Sequence, residues 1–229
     1  MKVITYATHS FGTFDEIVNN KHGVDVKVLG WGTKWKGFQD KVQGVYDYCK
    51  TLPDDEIVVF IDGFDSEIIK PLDGLEETFK SLNCGVFISR DILNTSNTMH
   101  NAVVKIFGTC QDGIVANSGL YMGTVFHLKI FLNAALNEDS SDDQTNFNSL
   151  CTQFEWIKLD VDNKIFYNRK PGSDPKWTPP GVYFKSSPAT PSFQRYLRAI
   201  TEYYSFFIKE ISIFILVVVL ILFLYSSNK

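Results

Sequence analysis

The stretch Glu56-Ile57-Val58-Val59-Phe60-Ile61-Asp62-Gly63-Phe64-Asp65-Ser66-Glu67 constrains the fold more than any other. Residues 57–61 are all apolar, and four of the five are β-branched. The run is too short for an independent helix and lies between Pro53, Asp54 and Asp55 on one side and Gly63 on the other, so it predicts a strand buried on both faces. A strand covered on both faces calls for helices above and below its sheet, which is an α/β architecture. Asp62 closes the strand at its carboxyl end, the edge along which open α/β sheets bind ligands.

Gly63 allows a sharp turn that swings Asp65 round toward Asp62. Two facing carboxylates repel unless a hard cation sits between them, and Mg²⁺ or Mn²⁺ carrying a diphosphate is a natural occupant. The same two residues also suit a plain turn that caps the next helix.

The chain around this strand alternates. Residues 3–8 predict a first strand, with 9–13 as the loop at its carboxyl end; His9 there touches ligand or, the favoured reading, caps the 15–19 segment or meets solvent. Residues 24–29 predict a second strand. Gly30-Trp31-Gly32-Thr33-Lys34-Trp35-Lys36-Gly37 is either a platform of rings and ammonium groups or a surface loop with one tryptophan in the core. Phe38, Val42, Val45, Tyr46 and Cys49 fall at helical spacing, with Lys41 on another part of that surface. Leu72, Leu75, Phe79 and Leu82 mark a second amphipathic helix, and 84–89 another buried strand. The order β, β, α, β, α, β predicts a mostly parallel sheet covered by helices.

The second half is more varied. Residues 90–101 are polar and aperiodic, a candidate loop over the site. Asn117-Ser118-Gly119 opens a short strand running to Gly123, whose backbone and Asn117 amide suit a sugar hydroxyl, or which is simply a glycine-bracketed core strand. Residues 125–136 predict an apolar helix on which His127 is structural. Ser140-Ser141-Asp142-Asp143-Gln144 starts a helix reaching Cys151, an ordinary N-cap pattern that also supplies a second acidic pair. Residues 156–159 and 164–167 predict a hairpin around Asp160–Asn163. Residues 170–180 read as irregular, and 182–185 as a last strand.

Composition narrows the class. A net charge of −4 without a basic block excludes a nucleic-acid binder. The four cysteines, Cys49, Cys84, Cys110 and Cys151, show neither metal-ligand spacing nor a disulfide framework, and a reducing compartment is the expectation. The amino terminus lacks the apolar run of a signal peptide. Residues 211–225 carry no charge, and together with 206–210 they span about 30 Å as a helix. The expected organisation is therefore a domain over 1–192, an amphipathic linker over 193–205 and a transmembrane helix over 206–226, with the domain on the cytosolic side.

Four segments, in this order, resemble the glycosyltransferase domain of the procollagen lysyl hydroxylase family, which is similar to other collagen glucosyl- and galactosyltransferases of GT-A fold. They are Leu29-Gly30-Trp31-Gly32-Thr33-Lys34-Trp35-Lys36-Gly37, Phe60-Ile61-Asp62-Gly63-Phe64-Asp65, Asn117-Ser118-Gly119 and Asp142-Asp143-Gln144. The resemblance implies a Rossmann-like GT-A domain that moves a hexose from a UDP-sugar with Mn²⁺ or Mg²⁺, with retention at the anomeric carbon, to a protein or glycan acceptor. Asp62 and Asp65 would hold the metal, and Asp142, Asp143 and Gln144 would face donor and acceptor. Thr8, Trp35, Lys41, Phe64, Asn117, Ser118 and Gly119 would line the nucleotide-sugar pocket.

The chain departs from the family where a His-Gly-Asn-Gly segment supplies a third metal ligand. The corresponding stretch here is Phe184-Lys185-Ser186-Ser187-Pro188, and a protonated Lys185 would pair with the diphosphate directly. Two other readings compete. One is a binding or scaffold protein on a degenerate transferase fold. The other is a phosphoryl-transfer hydrolase, whose strand-end aspartates would follow Asp-x-Asp spacing instead of the Asp-x-x-Asp found here.

Overall fold

The computed structural model describes residues 1–91, 104–105, 107–169, 173–187, 212–216 and 218. Contacts divide the chain into two units, Met1–Ala189 and Thr190–Lys229.

In the first unit the elements run β1 (Lys2–Tyr6), α1 (Phe14–Val18), β2 (Val26–Leu29), α2 (Phe38–Cys49), β3 (Ile57–Asp62), β4 (Ser66–Ile68), α3 (Leu75–Ser81) and β5 (Val86–Arg90). After a single 3₁₀ turn, Gln111–Gly113, come β6 (Ala116–Thr124), α4 (Val125–Leu136), α5 (Asp143–Cys151), β7 (Ile157–Asp160), β8 (Phe166–Asn168) and β9 (Phe184–Ser186). Among the described residues the main sheet has six strands in the order β2-β1-β3-β6-β5-β7. Only β6 runs against its neighbours, so the sheet is largely parallel, as the alternation of elements predicts. A smaller sheet has the order β4-β9-β8.

The central strand is covered on both faces because its side chains alternate between two cores. Val58 and Phe60 point into one core, with Val42 and Val45 of α2, Phe131 of α4 and Phe147 of α5. Ile57, Val59 and Ile61 point into the other, with Ile17, Leu75, Phe79 and the small-sheet residues Phe166 and Phe184. Tyr121 of β6 stacks on Phe60 at 4.9 Å and meets Phe147 edge-on, and Phe147 in turn meets Phe131 at 4.5 Å. This aromatic column fixes α5, and with it the acidic residues at its start, over the sheet.

Three expectations change. Residues 156–167 form no hairpin: β7 joins β5 in the main sheet, while β8 joins β9 in the small one. The reason is Asp160, buried and accepting the backbone N–H groups of Lys164, Ile165 and Phe166 at 2.7–2.8 Å, which uses up the donors at the corner and turns the chain out of the main sheet. The short β4 comes after Asp65 where no strand is expected, because three residues show no period. Cys110 and Cys151, both buried, are joined in a disulfide, although no sequence spacing signals it. Since disulfides form and persist in oxidising compartments, the expectation of a reducing one loses its basis.

The candidate loop over 90–101 lies, beyond Asp91, outside the described residues, as does most of the linker and membrane segment. In the second unit residues 212–216 and 218 are helical and exposed. Among the described residues no helix is long and apolar enough to cross a membrane.

Candidate active site

The site starts from the end of β3. Gly63 packs so closely under β1 that a Cβ there would stand 2.8 Å from the Tyr6 carbonyl oxygen, so only glycine lets the chain turn at this point. Asp62 Oδ1 accepts the Phe64 N–H at 3.0 Å, which fixes the turn and leaves Oδ2 directed toward Lys41 Nζ at 4.0 Å. The turn and the charged site are thus the two oxygens of one carboxylate.

Lys41 belongs to α2, is almost fully buried, and runs past the rings of Phe38 and Phe60 at 5.9 and 5.7 Å. Its ammonium meets Asp143 Oδ2 at 2.5 Å. Burial alone pulls the Lys41 pKa down, but the carboxylates of Asp143, Asp62 and Asp142 outweigh it and hold the pKa above its ordinary value, so the ammonium stays charged. Asp143 is itself buried, in the first turn of α5.

Asp142 is the N-cap of that helix, accepting the Thr145 N–H at 2.8 Å and its hydroxyl at 3.0 Å. Burial raises its pKa, against the pull of those two bonds. Gln144 reaches across to Asp91, just beyond β5, donating from Nε2 at 2.8 Å. On β6, Gly119 stands beside Asp62, and the Asn117 side chain accepts the Gly119 N–H at 2.9 Å. Ser118 is buried, and the Asn117 carbonyl accepts the hydroxyl of Ser89 at 3.3 Å.

The loops after β1 and β2 complete the rim. Thr8 and His9 Nδ1 share a hydrogen bond at 2.9 Å, and the His9 ring lies 5.5 Å from Phe64. It is Ser10, rather than His9, that bonds Asp15 in the following helix. Trp35 meets Tyr6 and Phe38, while Trp31 is exposed and stacks on Phe14 at 4.9 Å, so neither indole is a core plug. His127 is structural, bonded to Thr124 at 2.7 Å over Gly85, and burial lowers its pKa.

Lys185 is placed differently from the rest. It is buried in β9, paired with Glu67 at 3.1 Å and donating to the Pro175 carbonyl at 2.8 Å, so its charge is already matched inside the small sheet. Two residues that no sequence motif singles out stand near the site: Asp91, signalled only by its place at a strand end, and Arg169, whose Nε donates to Ser187 Oγ at 3.2 Å. A separate cavity of about 640 Å³ lies at the amino-terminal edge of β1 and β2, lined by residues including Met1, His22, Asp25 and Tyr48. It contains none of these groups, which gather at the opposite edge of the sheet.

The fold and the site together define an α/β domain whose carboxyl-edge crevice gathers carboxylates, a buried ammonium and amide groups, a surface suited to a polar, hydroxyl-rich substrate. The chain belongs to the family of glycosyltransferase domains of the procollagen lysyl hydroxylases: the family model described as the PLOD GT domain matches residues 1–174. Membership assigns it sugar transfer in general. The largely parallel sheet fits a Rossmann-like transferase, and the stretch that departs from the family, 184–188, lies beyond the matched residues. No curated protein matches the chain.

Proposed function

We propose that this domain is a GT-A-type transferase moving a hexose from a UDP-sugar to a hydroxyl of a protein or glycan acceptor, assisted by Mn²⁺ or Mg²⁺. The observation that carries the proposal is the convergence of the Asp62 turn and the start of α5 on the buried ammonium of Lys41, with Gly119 of β6 beside Asp62.

The support for a hard divalent cation is the pair of carboxylates in one turn, although among the described residues no three His, Cys, Asp or Glu side chains gather into a ligand cluster. Such an ion asks the protein for one or two carboxylates and takes its other ligands from water and substrate phosphates. Asp62 and Asp65 stand in one turn, and Asp62 uses only Oδ1 to hold that turn. These two carboxylates would hold the ion, which when bound would neutralise the charge of the departing diphosphate. The chain's own groups do the rest. Lys41 pairs with Asp143 and orients it, the N-cap bonds fix Asp142, and Asp91 holds the Gln144 amide where hydroxyls of donor and acceptor would meet it. Phe64 and Trp35 offer rings for the nucleotide.

Membrane attachment through residues 206–226 is part of the proposal. The buried Cys110–Cys151 bond supports an oxidising compartment for the domain in place of the cytosol.

UDP release from a panel of UDP-sugars, with Mn²⁺ and with chelator, tests the reading. Turnover of one sugar that stops with chelator is expected. Because Lys185 is engaged by Glu67 and offers no ligand, a second reading is a binding module without catalysis. Nucleotide-sugar binding with no turnover would favour it.

A further inference from the structure

We infer that Arg169 supplies positive charge at the Asp65 end of the Asp62–Asp65 turn and takes up the diphosphate of the nucleotide sugar, an inference that rests on the function proposed above. Its basis is a row of residues at one end of the small sheet. Ser66 pairs with Ser186 across β4 and β9, and Asn168 pairs with Ser186 across β8 and β9. The next residues outward, Asp65, Ser187 and Arg169, therefore stand side by side.

The row is tied together by hydrogen bonds. The Ser187 N–H donates to the Asp65 carbonyl at 2.7 Å, and the Arg169 N–H donates to the Ser186 carbonyl at 2.8 Å. Two strand spacings separate the Arg169 and Asp65 backbones, roughly 10 Å. The Arg169 side chain closes part of that gap, since its Nε donates to Ser187 Oγ at 3.2 Å, the residue between them. Nη1 donates to the Ser173 carbonyl at 2.9 Å and braces the guanidinium from the other side.

A guanidinium has five donors in a fixed fork that matches two phosphate oxygens, and it remains charged at any working pH. Lys185, which the sequence suggests for this task, is turned to Glu67 and Pro175 two residues further into the same sheet. Arg169 lies at the sheet end nearest Asp65. Lys41 then stands at the Asp62 end of the turn and Arg169 at its Asp65 end, one anchored to Asp143 and the other to Ser187.

Isothermal titration of the full chain with UDP and with UMP distinguishes this role from a brace for the 173–181 loop. Arg169→Gln is expected to weaken UDP about ten- to hundredfold, the loss of a charged hydrogen-bonded contact, and to leave UMP unchanged. Arg169→Lys keeps the charge without the fork and is expected to lose less for UDP; it also serves as the readout if the glutamine variant does not fold. Equal loss for both nucleotides, or none for either, in a folded variant overturns the inference. Wild-type protein that binds neither nucleotide overturns the proposed function itself, a result visible before any variant is made.

Discussion

The Lys41 ammonium lies 2.5 Å from Asp143 and 4.0 Å from Asp62, so one buried charge joins the start of α5 to the end of β3. The two carboxylates come from elements far apart in the sequence, Asp143 buried and Asp62 half-buried, and the Lys41 ammonium is the cation they share. Lys41 therefore serves the fold and the site through the same contacts.

Replacing Lys41 by Met removes the charge while keeping the stem. Asp143 is then a buried carboxylate without its partner, and breaking such a pair costs about 3–5 kcal/mol. The effect depends on pH in a defined direction. The folded-state pKa of Lys41 is raised above 10.5, so the pair's contribution is fully present below that value and is lost as pH rises through the higher folded-state value. Thermal unfolding should show a gap between wild type and Lys41→Met that is constant near neutrality and narrows only above about pH 10.5. A gap that already closes around neutral pH would mean that Lys41 is not the charged partner.

Asp62→Asn and Asp142→Asn separate structure from chemistry. Asparagine retains the oxygen that accepts the Phe64 N–H, and at an N-cap it serves as well as aspartate, so both variants should fold with little change in melting temperature. Asp142→Asn also removes a charge whose pKa is raised by burial, which makes it neutral or slightly stabilising above that pKa. Sugar transfer should fall by about a hundredfold or more in Asp62→Asn, the scale expected when a group neutralising transition-state charge is lost. Full turnover in that variant would remove Asp62 from the site.

How much of this is legible in the sequence depends on whether the signal is local. The central strand, its terminal Asp62 and the Asp142 cap are written in consecutive residues, and all stand where the pattern puts them. Family resemblance makes Lys41 a ligand candidate, but its pairing with Asp143 depends on how α2 and α5 meet over the sheet. Lys185 is a candidate by its charge, yet the register of β9 against β4 sets it opposite Glu67. The same register sets Arg169 in line with Asp65, and nothing in the spacing of residues 65, 169 and 187 announces that. The hairpin expectation fails because turn residues show that the chain bends without showing which sheet it enters next.

Gly12 gives a test of the loop that braces the Asp62–Asp65 turn. Its φ is +59°, and a Cβ there would collide with the Phe64 carbonyl oxygen. That carbonyl accepts the Thr13 N–H at 3.0 Å, and the Thr13 hydroxyl donates to the Ser66 carbonyl at 2.7 Å. Gly12→Ala should cost about 1–3 kcal/mol in urea unfolding, the strain of a side chain in this conformation. Because the clash falls on Phe64, UDP affinity should fall with it. Loss of stability without any loss of UDP affinity would show that the 9–13 loop does not position the turn.

The disulfide makes the last prediction. Cys110 and Cys151 are 41 residues apart, and cross-linking a loop of that size removes unfolded-chain entropy worth about 4 kcal/mol. The bond ties the segment ahead of β6 to the carboxyl end of α5, the helix that carries Asp142 and Asp143. Cys49 and Cys84 are free thiols, and burial pushes their pKa values up to about 12 and about 11, which leaves little thiolate to exchange with the bond at neutral pH. A Cys110→Ser/Cys151→Ser double variant should therefore match fully reduced wild type in urea unfolding. Adding reductant to the double variant should change nothing. If reduction lowers the stability of the double variant as much as that of wild type, the effect arises from the other two cysteines, and the Cys110–Cys151 bond is not what holds α5 in place.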